Sequence, residues 1–291
     1  MRIKSVSKLI KQKSVLENID FTIERGKITG IIGRNGAGKT TLLKLMVGIL
    51  KPDQGDVLVN QASIYAHPEV KQHVVFVPDS PEALKTYSIK EICQLYKDIF
   101  PNFDEDLFYE LLDRFTLPNK GKVGSFSKGM KALFALVLAF STKAQYILLD
   151  EPTDGLDVIA KKRILQFIVE AVADYQVGVV ISSHRLDELE YLADSIIMLE
   201  NGGLSKTYSI DSIKESYLKV QAVFPAGLPE SVKEFSHVLE HTGKVFILII
   251  ENSKEEGLMQ LKQANPLFME ELPMTLEDLF VAKLGGDQFV G

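Results

Sequence analysis

"ITGIIGRNGAGKTTLLKLM", residues 28–46, passes through three kinds of local order in nineteen positions. "ITGII" is a short apolar run of the kind that fills an interior strand. "GRNGAGKTT", from Gly33 to Thr41, is polar and glycine-rich. After it, Leu42, Leu45, Met46 and Ile49 recur at the spacing of a helix buried along one side. Gly33, Gly38, Lys39 and Thr40 fill the G-x-x-x-x-G-K-[ST] positions, and each residue type has a mechanical reason to be there. Glycines let the chain curl until successive N–H groups and the start of the next helix point at one anion. Lys39 reaches the β and γ phosphates of a nucleotide, and the Thr40 hydroxyl takes a place on Mg²⁺. The bare pattern arises by chance in about one chain in a hundred of this length. A strand before it and a helix after it make accident far rarer.

A second stretch completes a nucleotide site. "YILLDEP", residues 146–152, is an apolar strand ending in two adjacent carboxylates, which are costly at the end of a buried strand unless they have partners or a metal. Phosphoryl transfer depends on positioning and charge stabilisation, so the pair divides two duties. Asp150 holds Mg²⁺, and Glu151 orients and polarises the attacking water. His184 closes the strand "GVVISSH", which would run beside the one ending in Asp150 and carry the imidazole toward the γ phosphate. The other histidines, at 67, 73, 237 and 241, show no ligand spacing.

Composition narrows the setting. With 291 residues and 46% hydrophobic content, the chain can bury one large domain and a small one. A net charge of −6 without a cluster of Lys and Arg argues against a nucleic-acid partner. The single cysteine, Cys93, excludes an internal disulfide and reads as a small buried hydrophobe. No apolar run approaches the roughly 18 residues of a membrane span, and the opening "MRIKSVSKLIKQKS" lacks the apolar core of a signal peptide. Any membrane connection is therefore expected to come through a partner.

Strand patterns at "VLENIDFTI", "DVLV" and "HVVFV" give way between about 85 and 142 to helical ones: "IKEICQLYKDIF", "EDLFYELLDRF" and, after the turn "SFSKGM", the run Lys131 to Phe140. "QYILLDE", the helix "IAKKRILQFIVEAVADY" and "GVVISSH" then restore the alternation. The prediction is an α/β fold whose mostly parallel sheet is covered on both sides and carries an all-helical insertion. From residue 210 to 291 the composition shifts to a small α+β domain, with a strand at "LKVQAVF", a hairpin turning near Thr242 and Gly243, and a closing helix at "TLEDLFVAKL".

In their order and intervals, "GRNGAGKTT", "FSKGM", "ILLDEP", "TDGLD" and "SSH" resemble the ATP-binding subunits of ABC transporters over roughly residues 1–205. The resemblance implies a P-loop NTPase (RecA-like) fold for residues 1–209 and ATP hydrolysis with ATP and Mg²⁺ as cofactors. It implies that Gly33, Arg34, Asn35, Gly36, Ala37, Gly38, Lys39, Thr40 and Thr41 wrap the phosphates, with Lys39, Glu151 and His184 catalytic. It further implies a head-to-tail pair, either a homodimer or a heterodimer with a second ATPase. In that pair the signature turn, Ser127, Lys128, Gly129 and Met130, closes over ATP held by the partner, and Asp157 couples the two sites. That is the reason for a second loop so far from the first.

Five positions depart from the family pattern. Phe126, Lys128 and Met130 replace the first, third and fifth residues of the usual Leu-Ser-Gly-Gly-Gln, a form similar to that of the exporter branch called the ABC-2 type. Asp79 stands where a glutamine helps hold Mg²⁺, and Ile10 stands near the usual adenine-stacking aromatic. The tail "TLEDLFVAKLGG" is also similar to that of ABC-2 subunits, which work with a separate transmembrane permease to export drugs, antimicrobial peptides or other amphipathic compounds. The implied location is the cytoplasmic face of the membrane, with Pro78 to Ser88 forming the cleft for a permease helix. Two other readings stay open at this point: a soluble ATPase of the same superfamily, and a non-catalytic nucleotide-responsive interaction protein.

Overall fold

In the computed structural model the chain opens as an antiparallel ribbon of β1 (Arg2–Ile10) and β2 (Lys13–Thr22), joined through Lys11 and Gln12 at positive φ. The structure describes all residues other than 80–83, 201, 211, 213–215, 252–253 and 285–291. β1 lies outside the strands that the sequence pattern predicts. Its alternation is broken by Ser5 at positive φ, the register against β2 shifts there, and only Ile3 and Val6 are buried.

Then follow β3 (Ile28–Gly33), α1 (Lys39–Met46), β4 (Gln54–Val59), β5 (Ala62–Ser63) and β6 (Val74–Val77). The helical insertion holds α2 (Ile89–Ile99), α3 (Glu105–Arg114) and α4 (Lys128–Ser141). After it come β7 (Tyr146–Asp150), α5 (Val158–Tyr175), β8 (Gly178–Ser182), α6 (Leu186–Leu192), β9 (Ser195–Glu200) and β10 (Gly203–Ser209). The ten strands form one sheet in the order β5-β4-β1-β2-β10-β9-β3-β8-β7-β6.

The expectation of a mostly parallel sheet holds for the half that carries β9, β3, β8, β7 and β6, all paired in parallel. There β3, β7 and β8 are buried at every residue, as strands covered on both faces must be. In the other half, β1, β2, β4 and β5 pair antiparallel. The two-residue links at Lys11–Gln12 and Asn60–Gln61 leave no length for a parallel crossover. Because parallel strands aim their carboxyl ends one way, Gly33, Asp150 and Ser182 meet at a single edge, with Asp150 in register with Ser182.

Helix α1 is shorter than its apolar spacing suggests. Leu42, Leu45 and Met46 are fully buried, but Ile49 is 60% exposed. Gly48, at φ 72, turns the chain away just past the C-cap, so the predicted fourth member of the stripe falls outside the helix. Helix α4 is longer at its start than the predicted Lys131 to Phe140. Ser127 caps it by accepting from Met130 N–H at 3.2 Å, which winds Lys128, Gly129 and Met130 into the first turn. Within the insertion, Phe134 is fully buried between Phe108 and Phe126, at centroid separations of 6.0 and 5.6 Å.

The chain divides into two compact units, Met1–Thr207 and Tyr208–Gly291. The second contains β11 (Leu218–Val223), α7 (Glu230–Lys233), β12 (Ser236–Thr242), β13 (Val245–Ile250), α8 (Lys254–Gln263), β14 (Phe268–Leu272) and α9 (Leu276–Leu284). Its four strands pair antiparallel in the order β12-β13-β11-β14. β11 alternates buried and half-buried residues around a core of Leu218, Val220, Ala222, Leu248 and Ile250. The predicted hairpin turns at Gly243, at φ 62. The closing helix is α9, and the two glycines after it in the quoted tail lie outside the described residues.

The aromatic stack gives a test of the insertion. Phe134→Ala is expected to cost about 3–5 kcal/mol of stability, read as a lower urea midpoint with an unchanged slope. A loss under about 1 kcal/mol would show that Phe134 does not anchor the three helices.

Candidate active site

The loop between β3 and α1 forms around backbone geometry that side chains would obstruct. A Cβ on Gly33 would lie 2.7 Å from the Leu199 carbonyl oxygen, and Gly38, at φ 103, would place one 2.8 Å from Leu16 Cδ2. Arg34, Asn35 and Gly36 form the exposed crest, Ala37 and Thr41 are half-buried, and Ala37 N–H donates to the Arg34 carbonyl at 3.0 Å. Helices α2, α3, α4 and α5 are capped by the side chains of Ser88, Asp104, Ser127 and Asp157. Helix α1 begins instead at Gly38 with no side-chain cap, so its first N–H groups are left for an outside acceptor.

Lys39 is 7% exposed, and its ammonium donates to the Gly33 carbonyl at 2.9 Å. The nearest carboxylate oxygen, Glu151 Oε1, is 3.9 Å away, beyond hydrogen-bond range. An ammonium has three donors, and a buried one with a single hydrogen bond is a strong electrostatic host for an anion. Beside it, Thr40 donates to Asp150 Oδ1 at 3.1 Å, and Ser182 Oγ donates to the same oxygen at 2.6 Å. Asp150 is only 5% exposed. These hard oxygen donors, a hydroxyl and a buried carboxylate, suit Mg²⁺, which binds through few protein ligands and completes its shell with phosphate and water.

Glu151 is placed quite differently from its neighbour. It adopts φ 47, a conformation costing a non-glycine residue on the order of 1 kcal/mol or more. Hydrogen bonds at its backbone and its carboxylate hold it there. Its N–H is shared between the carbonyl and Oγ of Ser182, at 3.1 and 3.2 Å, and Oε2 accepts from His184 Nδ1 at 2.9 Å. This contact occupies Nδ1 and leaves Nε2 as the ring nitrogen outside it. The predicted trio of Lys39, Glu151 and His184 is thus brought together. Ser182, which bonds both carboxylate positions, was not singled out from the sequence; its only signal there is its place within "SSH".

The signature turn is exposed at Ser127 and Lys128, while Phe126 is buried against Phe134. The phenylalanine at the first signature place therefore serves the core of the insertion. Gly129 faces α5, where a Cβ would come within 3.0 Å of Ala160 Cβ, and Lys128 Nζ lies 3.9 Å from Asp154 Oδ2. None of the four signature residues hydrogen-bonds to Lys39 or Thr40. Asp157 caps α5, accepting from the N–H groups of Ile159 and Ala160 at 3.0 and 2.9 Å.

Asp79, exposed beyond β6, makes no hydrogen bond to Thr40 or Asp150. It lines a cleft of about 310 Å³ shared with Lys128, Lys131, Glu151, Asp154 and Leu156. Among the described residues, no group of three or more His, Cys, Asp and Glu side chains is placed to hold a metal. Ile10, near the expected adenine position, is 39% exposed. Of the predicted permease cleft, residues 80–83 lie outside the described residues. Among the described residues no helix is long and apolar enough to cross a membrane.

Known proteins resemble this chain over most of its length. The family model described as "ABC transporter" matches residues 16–154, and one described as "AAA domain, putative AbiEii toxin, Type IV TA system" matches residues 121–189. The chain is 35% identical to the ABC transporter ATP-binding protein YtrB of Bacillus subtilis (strain 168) over 287 residues, covering 98% of each chain. It is 28% identical to the bacitracin transport ATP-binding protein BcrA of Bacillus licheniformis, covering 94% of each. A solved structure of an ATP-binding subunit of an ABC transporter superposes with a TM-score of 0.67 at 29% identity, over 73% of this chain and 91% of that one.

The chain belongs to the family of ABC transporter ATP-binding proteins. It is an ATPase subunit, the motor of a transporter whose membrane-spanning part is a separate permease. That permease supplies the association with the membrane.

Two glycines with positive φ separate the cradle from the rest of the surface. Gly38→Ala, strained and crowded by Leu16, is expected to weaken ATP binding by roughly tenfold or more. Gly121→Ala, at φ 93 in open space, should leave ATP binding unchanged and cost about 1 kcal/mol of stability. Equal effects of the two on ATP affinity by titration calorimetry would contradict the cradle.

Proposed function

We propose that this subunit works as one half of a two-site clamp. Two copies, or this chain and a second ATPase of its family, close over two ATP molecules. Lys39 and the N–H groups from Gly33 to Thr41 grip the phosphates of each. Thr40 and Asp150, assisted by Asp79, hold Mg²⁺, which supplies charge neutralisation on the phosphates. Glu151 accepts a proton from the attacking water while His184, tethered through Nδ1, presents its other ring nitrogen toward the γ phosphate. Ser127 keeps its hydroxyl hydrogen free while capping α4. That hydrogen, with the N–H groups of the first turn, completes the partner's nucleotide site, and Asp157 stands at the seam.

One observation carries this reading. The chain has a single phosphate cradle and a single signature turn, and the turn packs on the loop after β7 and on α5 rather than on its own cradle. An exposed helix start of this kind is suited to an anion held by a second molecule. Binding then performs the mechanical work, because ATP stabilises only the closed pair and its hydrolysis reopens it.

For cargo, we propose export of peptides, drugs or other amphipathic compounds across the membrane on whose cytoplasmic face the pair would sit. The near full-length similarity to a bacitracin transport subunit supports that class. The unit after residue 207 is read as an accessory or regulatory module. The test is Glu151→Gln. It is expected to retain ATP binding, lose roughly a hundredfold or more in turnover, and elute as a dimer with ATP and Mg²⁺ but as a monomer without them. Unchanged turnover, or a monomer under both conditions, would contradict the reading.

A further inference from the structure

Glu188 takes no part in the machinery described so far, yet it is one of the most enclosed charges in the protein. It sits on α6 at 6% exposure. A carboxylate so placed is expensive to bury unless fully compensated. Here the compensation comes from three directions. Oε2 accepts from the Thr153 hydroxyl at 2.5 Å. Oε1 lies 2.7 Å from Lys161 Nζ and 2.7 Å from Arg185 Nε.

Those three partners belong to the segments that carry the reacting groups. Thr153, itself 3% exposed, is two residues past Glu151, and the intervening turn is closed by Asp154 N–H donating to the Glu151 carbonyl at 3.1 Å. Arg185 directly follows His184, and its N–H donates to Ser183 Oγ at 3.0 Å. Lys161 is one turn along α5 from Asp157, and its N–H donates to the Asp157 carbonyl at 3.0 Å. Glu151 and His184 approach from the ends of different strands, so their 2.9 Å contact depends on where two loops are held. Glu188 is hydrogen-bonded to the loop after β7 and ion-paired with Arg185, at the start of its own helix, and with Lys161 on the helix that Asp157 caps.

We infer that Glu188 is a positioning residue for hydrolysis. Its buried carboxylate ties the loop after β7, the residue after His184 and the start of α5 into one unit, which fixes Glu151 against His184. The assignment rests on the reading of Glu151 given above. It predicts a defect in turnover rather than in nucleotide capture, because the cradle from Gly33 to Thr41 makes none of these contacts.

Glu188→Gln keeps an acceptor for Thr153 but removes the charge facing Lys161 and Arg185; Thr153→Val removes the hydroxyl and leaves the carboxylate in place. In each, kcat is expected to fall about tenfold or more, as small misplacements of reacting groups do, with KM for ATP changing less than about threefold. Amide exchange across residues 151–157 should speed up in both variants, whether or not turnover is fast enough to measure. In a Glu151→Gln background, Glu188→Gln should reduce the residual hydrolysis by a smaller factor than in wild type, since the carboxylate it positions is gone. Unchanged kcat and exchange, or an equal fractional loss in the Glu151→Gln background, would overturn the inference. If Glu151→Gln itself hydrolyses ATP normally, the assignment of Glu151 falls and this inference with it. A normal Glu151→Gln defect beside a silent Glu188→Gln would overturn this inference alone.

Discussion

A positive charge held almost out of water is the constraint from which the rest of this molecule follows. The Lys39 ammonium makes one hydrogen bond, to the carbonyl that ends β3, and stops short of bonding Glu151. Such a group is stable only where backbone dipoles and nearby carboxylates surround it, and it stays available only if none of them neutralises it fully. That requirement explains the strand buried along its whole length, the glycine that lets it pass the Leu199 carbonyl, and the helix left uncapped at Gly38. Each is a cost in an ordinary strand-turn-helix. Together they leave the buried ammonium beside a helix start that no side chain caps.

Two adjacent carboxylates complete the site by facing different ways. Asp150 is the last residue of β7 and accepts from the Thr40 and Ser182 hydroxyls. One residue later, the left-handed conformation of Glu151 swings its side chain across to His184. Had Glu151 continued the strand, its side chain would have fallen on the opposite face of the sheet from Asp150. The left-handed turn gives the two carboxylates different partners, and Ser182 contacts both residues.

Much of this was legible in the sequence because the chemistry is local. The cradle is nine consecutive residues, β7 and β8 are apolar runs that end in the groups that matter, and the helical insertion declares itself through its period. What was not legible depends on distant contacts. Strand β1 hides behind lysines and a bulge, so the antiparallel half of the sheet could not be anticipated. Ile49 fits the stripe of α1 by spacing but lies beyond a glycine that ends the helix. Ser127 reads as part of a turn, and only its bond to Met130 N–H moves the start of α4 forward by a turn. In "HRLDELE" nothing marks Glu188 apart from other acidic residues of an amphipathic helix, since its partners lie at 153 and 161 as well as beside it.

Titration of ATP into wild-type protein and into Lys39→Ala by calorimetry, in the presence of Mg²⁺, tests the central claim most directly. Removing a buried ammonium that meets the phosphates through charge-assisted hydrogen bonds is expected to cost roughly 3 kcal/mol or more, over a hundredfold in Kd, with the fold intact by circular dichroism. A Lys39→Ala protein that stays folded and binds ATP within about threefold of wild type would contradict the account, because the charge around which the site is arranged would then have no role in holding the nucleotide.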